Sequence, residues 1–147
     1  MGMEQNKAAA RRFLDEVMNA GNVAVIDELT APNFVDHDAP PGVAPTPAGF
    51  KDFVRTFRTA FPDLRYTIDM DVADGPTVVQ RLTGHGTMHG DFLGMPASHK
   101  SATWHEIHIT RFEGGKAVEH WGVVDQLAML AQLGFVEAPG QPSATRT

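Results

Sequence analysis

The chain contains no cysteine. That absence excludes disulfides, thiolate nucleophiles and cysteine-ligated zinc or iron–sulfur centres. No run of about 18 apolar residues occurs, so no segment reads as a membrane-spanning helix. The first residues, MGMEQNKAAARR, lack the apolar core that a secretory signal needs. Basic residues are in the minority: 12 Lys and Arg stand against 18 Asp and Glu, a formal net charge of −6. A sequence-independent grip on nucleic acid, which rests on clustered Lys and Arg, is disfavoured by that balance. These exclusions leave a cytoplasmic, soluble domain as the expectation, with neither a membrane nor a nucleic acid as partner.

What remains has an ordinary globular composition, 42% apolar and 20% charged over 147 residues. That is enough chain for one domain with its own core. Residues 1–136 read as that domain, and 137–147 as a loose tail rich in small and polar residues. Ala10, Phe13, Leu14, Val17 and Met18 recur at helical spacing, with Gly21 as the stop. A short helix over Val25, Ile26 and Leu29 follows, then a Pro-rich loop, FVDHDAPPGVAPTP. Thr46 and Pro47 fit an N-cap and first helical position. The helix they open carries Phe50, Phe53, Val54, Phe57 and Phe61 on one stripe.

After Pro62 the period changes from helical to two. LRYTIDMDV and TVVQRLTGHGTMHG read as strands around ADGP, HGDFLGMPASHK as a loop, and SATWHEIHITRF and KAVEHWGVV as strands around EGG. DQLAMLAQLG reads as a final helix with Leu127, Leu130 and Leu133 inward and Gly134 as its end. Helices followed by an antiparallel meander make an α+β architecture. A curved sheet folded around the aromatic helix stripe leaves a cone with a mouth, a common place for small molecules to bind.

The last hairpin carries the titratable side chains. Alternation groups Glu106 with His108 on one side of its first strand and Ile107 with Ile109 on the other. A two-residue Gly114-Gly115 loop and a three-residue loop with a glycine bulge give different registers. The bulged register sorts polar from apolar better, because register follows burial. It places His108 across from His120, and Glu106 across from Gly122, on one face. Ile107, Ile109, Trp121 and Val123 share the other. Either face suits the interior on pattern alone. With the polar face inward, the apolar face needs a cover, and a second copy of the chain is the simplest one.

The runs APNFVDH, AFPDLR, FLGMP and GKAVEHWGVVDQLAMLAQLG resemble the SnoaL-like polyketide cyclases of the nuclear-transport-factor-two-like superfamily, relatives of ketosteroid isomerase and limonene epoxide hydrolase. The resemblance covers roughly residues 8 to 135. It implies a cystatin-like α+β barrel, a hydrophobic pocket, dimers packed through the sheet, and neither a metal nor an organic cofactor. It also implies that the Glu106/His108 face is the inner one, since the cyclases place acid/base residues at the equivalent strand positions. One departure stands out: where these cyclases carry a catalytic Asp on the last strand, this sequence has Gly122.

On this reading Glu106 is the base, its pKa expected to rise on burial among apolar walls. His108 and His120 donate protons or hold a developing enolate oxygen. His37, Asp36, His85, Trp104, Phe53 and Phe57 are expected to line the pocket. The expected ligand is a small hydrophobic carbonyl compound, and the expected chemistry aldol-type cyclisation or isomerisation. Two alternatives remain: a cofactor-free hydrolase that activates water with the same groups, and a non-catalytic binding or dimerisation module. A facial metal site from Glu106, His108 and His120 is disfavoured by the resemblance.

Overall fold

A computed structural model describes residues 2–140, so most of the expected tail, residues 141–147, lies outside it. Helix α1 spans Met3–Arg12 and continues as a π-helical segment, Phe13–Asn19. It ends where Gly21 takes a left-handed φ of +76°. Helix α2, Val25–Leu29, leads directly into strand β1, Thr30–Asp36. Helix α3 spans Pro47–Ala60 and begins as its sequence suggests, with Thr46 Oγ1 accepting from the Gly49 amide at 3.2 Å. Four strands follow: β2 Arg65–Asp74, β3 Thr77–Thr87, β4 Ser101–Glu113 and β5 Lys116–Val124. Helix α4, Gln126–Leu133, closes the described fold.

The strands form one curved, unclosed sheet in the order β1-β5-β4-β3-β2. β2 to β5 make the expected antiparallel meander, whereas β1 pairs with β5 in parallel. The Pro-rich run predicts a loop for FVD, whereas these residues end β1. β1 contains Pro32 and Asn33, poor strand formers, in the interval between Thr30 and Val35 where its register slips. An edge strand tolerates that gap, because one side makes no ladder. α1, the π-helical segment and α3 pack on the concave side. Leu14, Val17, Met18, Val54, Phe57 and Phe61 form one core with Leu82 and Trp104. The Arg11–Asp71 pair, at 2.7 Å, joins α1 to the edge strand β2.

The β4–β5 register differs from expectation, yet the face assignment stands. Glu113 pairs with Lys116 around a two-residue Gly114-Gly115 turn, both glycines at positive φ, not around the three-residue loop. The extra residue lies inside the strand, where the register shifts between Arg111 and Phe112. His108 therefore sits across from Gly122, Thr110 across from His120, and Glu106 across from Val124. The offset from the expected register is two residues. A shift of two preserves which face each side chain occupies; a shift of one would have inverted it.

In α4, Asp125 caps the helix through the Ala128 amide and Gly134 ends it at φ +89°. Met129 and Leu133 are its buried residues, and Leu127 is 46% exposed, contrary to the inward position expected for it. Among the described residues, no helix is long and apolar enough to cross a membrane.

Candidate functional site

The concave face of the sheet is organised in rows of paired residues. Tyr66, Gly84 and Trp104 make the first row across β2, β3 and β4. Ile68, Leu82, Glu106 and Val124 make the next. Gln80, His108 and Gly122 follow, then Val78, Thr110, His120 and Asp36. These rows form one wall of a cavity of about 230 Å³. The facing wall comes from the helices, with Phe13, Leu14 and Met18 from the N-terminal segment and Phe50, Phe53 and Phe57 from α3. Pro40, Pro41 and Val43 of the β1–α3 loop also contribute to the lining.

Across the polar rows runs an unbroken chain of hydrogen bonds. Asp36 Oδ1 meets His120 Nδ1 at 2.8 Å, and His120 Nε2 meets His108 Nδ1 at 2.7 Å. His108 Nε2 meets Glu106 Oε1 at 2.6 Å. The other carboxylate oxygen, Glu106 Oε2, accepts from the Tyr66 hydroxyl and from Trp104 Nε1, each at 2.6 Å. Glu106 is only 6% exposed. A buried carboxylate without partners is very costly, and three donors to this one offset the penalty.

The pKa of Glu106 departs from the sequence expectation. Burial alone pushes it up, but hydrogen bonds from His108, Tyr66 and Trp104, together with the charge His108 can carry, outweigh burial and hold it below the usual carboxylate value. The sequence pattern points to the enclosure and to a neighbouring histidine, but not to Tyr66 and Trp104 as donors. Tyr66 is shifted the opposite way, well above the usual phenol value, by burial and by the adjacent Glu106 charge. It therefore remains a donor.

Proton counting constrains the imidazoles. Three links join Asp36, His120, His108 and Glu106, and each link holds one proton. Two neutral imidazoles supply two of the three. The two outer links use those two protons, and the link between His108 Nδ1 and His120 Nε2 closes only with a third proton shared by the rings. Each imidazole is then anchored by its own carboxylate, with the two basic nitrogens facing each other. Without the third proton, two ring lone pairs face each other across this link and can accept one.

Two glycines make room for these rings. A Cβ on Gly84 would lie 2.7 Å from the Trp104 indole and 2.8 Å from the Tyr66 ring. A Cβ on Gly122 would lie 2.7 Å from His108 Nδ1. Gly122 also donates its amide to Asp38 Oδ2 at 2.9 Å, fastening the β1–α3 loop to the site.

Of the side chains singled out from sequence, Glu106, His108, His120, Asp36, Trp104, Phe53 and Phe57 all reach the cavity. Asp36 does so as the partner of His120. His37 and His85 do not. Asp36 points inward at the end of β1, so His37 turns outward, where it stacks on Trp121 at 4.9 Å and meets Glu119 at 2.7 Å. His85 alternates with the inward Gly84 and Gly86, which puts its ring on the outer face against Thr103 at 2.8 Å. Tyr66 was not foreseen as a site residue. Its signal was available: it is the chain's one tyrosine, at the start of a strand that pairs with a glycine. Among the described residues, no group of three or more His, Asp or Glu is arranged to hold a metal ion.

On the outer face, Ile107 is 48% and Val123 72% exposed, with Ile109 beside them. This is the apolar strip read from the alternation.

Comparison with known proteins adds to this picture. The profile of the SnoaL-like polyketide cyclases matches residues 8–133. Aklanonic acid methyl ester cyclase DnrD of Streptomyces peucetius is 29% identical over 89 residues, 60% of this chain and 61% of that protein. The chain thus matches less than two thirds of this curated relative. Among solved structures, TsrD from Streptomyces laurentii superposes with a TM-score of 0.84 at 27% identity, covering 92% of this chain and 99% of TsrD. AclR from Streptomyces galilaeus, named as a candidate hydroxylase, gives 0.78 at 26% identity, with 92% and 99% covered.

Proposed function

The chain belongs to the SnoaL-like polyketide cyclase family, and from that premise we propose that it binds a small hydrophobic carbonyl compound and performs cofactor-free acid/base chemistry on it. The observation that carries this reading is the Asp36–His120–His108–Glu106 chain of hydrogen bonds along the wall of a mainly apolar cavity. In this proposal the imidazole pair, and not Glu106, is the base. A carboxylate held ionised by three donors is a weak base, but it is well suited to hold a histidine ring and stabilise its protonated form. Glu106 does this for His108, and Asp36 for His120.

The step is an internal aldol. The imidazole pair, in the form without its shared proton, removes a proton from the carbon beside a carbonyl and holds it between the rings, leaving an enolate. The enolate carbon bonds to a second carbonyl carbon of the same molecule, and the oxygen formed there takes the proton back from the pair. Protons balance, and no oxidant is required. Gly122, where the resemblance implies an Asp, fits a site in which two rings occupy the space of that side chain. The outer strip of Ile107, Ile109 and Val123, with Trp121, supports a homodimer through the sheet.

Deuterium uptake tests the base directly. Incubation of 2-acetylnaphthalene in D2O with the protein should speed exchange of its methyl protons, and His108→Ala or His120→Ala should abolish the acceleration. One observation favours a second reading, a binding module without turnover: every imidazole nitrogen in the pair, and each Glu106 oxygen, already has a partner within the protein. Tight binding of the ketone with no accelerated exchange would establish that second reading.

A further inference from the structure

Because the relay groups are bonded to one another, a bound carbonyl oxygen must find its hydrogen-bond donor elsewhere on the wall. Tyr66 and Trp104 already donate to Glu106. The Thr30 hydroxyl, also on the wall, donates to Ile26 O at 2.7 Å. One buried donor is left over. Gln80 lies on β3, lines the cavity and is 4% exposed, and its Nε2 has no hydrogen-bond partner among the described residues. Asn6 Oδ1 shares that condition but does not line the cavity.

An unpaired buried amide is costly, commonly about 1–3 kcal/mol, so a chain that retains one needs a reason. Its position in the fold suggests that reason. Gln80 pairs with His108 across β3 and β4, in the same row as Gly122. We propose that Gln80 is the substrate-positioning residue of this site, its amide receiving the ligand's carbonyl oxygen in the row that contains His108. The inference rests on the reading of the cavity as a carbonyl-compound site. A primary amide suits this role, since rotation about its last bond presents either a donor or an acceptor to the same place. The oxygen it holds can therefore be a ketone or the enol derived from it. Gln80 needs no proton of its own to serve both, and its action does not depend on pH.

The test compares two ligands that differ in one group, 2-acetylnaphthalene and 2-isopropenylnaphthalene, in which a CH2 replaces the carbonyl oxygen. Calorimetric titration of the wild type should show tighter binding of the ketone, and Gln80→Leu should weaken the ketone by about tenfold while leaving the hydrocarbon unchanged. The Tm of Gln80→Leu should equal or exceed that of the wild type, because the unpaired amide is gone. A residue retained for structure alone would lower it. Gln80→Met, closer in shape, provides the same comparison if the leucine variant does not fold. A ketone preference that survives in the variants would overturn the role of Gln80 and pass it to another wall group such as Thr110, with the cavity reading intact. Equal affinity of the wild type for both compounds would overturn it as well. Binding of neither compound would remove both the role and the cavity reading. A preserved ketone preference in the wild type with no deuterium uptake would remove only the catalytic reading.

Discussion

Gly122 and His108 face each other across β5 and β4 with no room for a side chain between them; a Cβ on the glycine would come within 2.7 Å of His108 Nδ1. That same nitrogen holds His120 at 2.7 Å. The glycine and the imidazole pair are therefore one feature: any larger residue at 122 displaces the ring and breaks the link.

The first prediction is that Gly122→Ala separates the imidazoles. Overpacking of this kind costs about 1–3 kcal/mol. Urea denaturation should show a loss in that range, and 15N spectra of the histidines should change for both His108 and His120. Unchanged imidazole spectra in a folded variant would show that the pair does not depend on the glycine.

The second concerns pH. The Glu106 carboxyl is held below its usual value in the folded protein, although burial alone would raise it. A group shifted downward stabilises the fold above its unfolded pKa, and that stabilisation is lost as pH falls through the folded value. Glu106 thus contributes to stability at neutral pH and gives up that contribution below the usual carboxylate range, about pH 4. Asp63, Asp71 and Glu119 are shifted the same way and add to the acid limb. Comparison with Glu106→Gln cancels them. The variant should have an acid limb shallower by up to one proton, about 1.4 kcal/mol per pH unit. Parallel limbs would contradict the ionised assignment.

Tyr66→Phe removes one of the three donors while keeping the ring over Gly84. The third prediction is a stability loss at pH 7 of about 1.5–3 kcal/mol, the range for a hydrogen bond to a charged group. The acid limb should move to higher pH, because Glu106 then has one donor fewer. A limb that stays in place would mean that the hydroxyl does not support the carboxylate.

The fourth prediction addresses the outer strip. Val123 is the most exposed large apolar side chain of the strip, with Ile107 next to it in the same cross-strand pair. The wild type should sediment as a dimer, and Ile107→Lys with Val123→Lys should sediment as a folded monomer. A monomeric wild type would leave the strip in need of another cover.

Much of this molecule was legible in its sequence, and the misses share a cause. The faces of β4 and β5 came out correctly despite a wrong register, because period-two alternation survives any even slip. Helix α3 announced itself through Thr46, Pro47 and its phenylalanine stripe. What could not be read was whatever depends on contacts between distant segments. β1 was hidden by Pro32 and Asn33, and with it went the fact that Asp36 ends beside His120. The direction of the Glu106 shift rests first on His108 and then also on Tyr66, forty positions away in the chain. Trp104 and His108, each two residues from Glu106 on the same face, are the donors that the alternation places beside the carboxylate. His37, expected at the pocket mouth from the resemblance, and His85, expected there from its glycine neighbours, both lie outside because Asp36, Gly84 and Gly86 take the inward positions.

The short stretch Asp36-His37-Asp38 works as a rivet through the sheet. Its first carboxylate is fixed to His120 inside, its imidazole is pressed on Trp121 outside, and its second carboxylate grips the Gly122 amide. Interior and exterior are here a single peptide link apart. The Trp121 contact and the Asp36 end of the relay therefore share one peptide unit, with no layer of side chains between them.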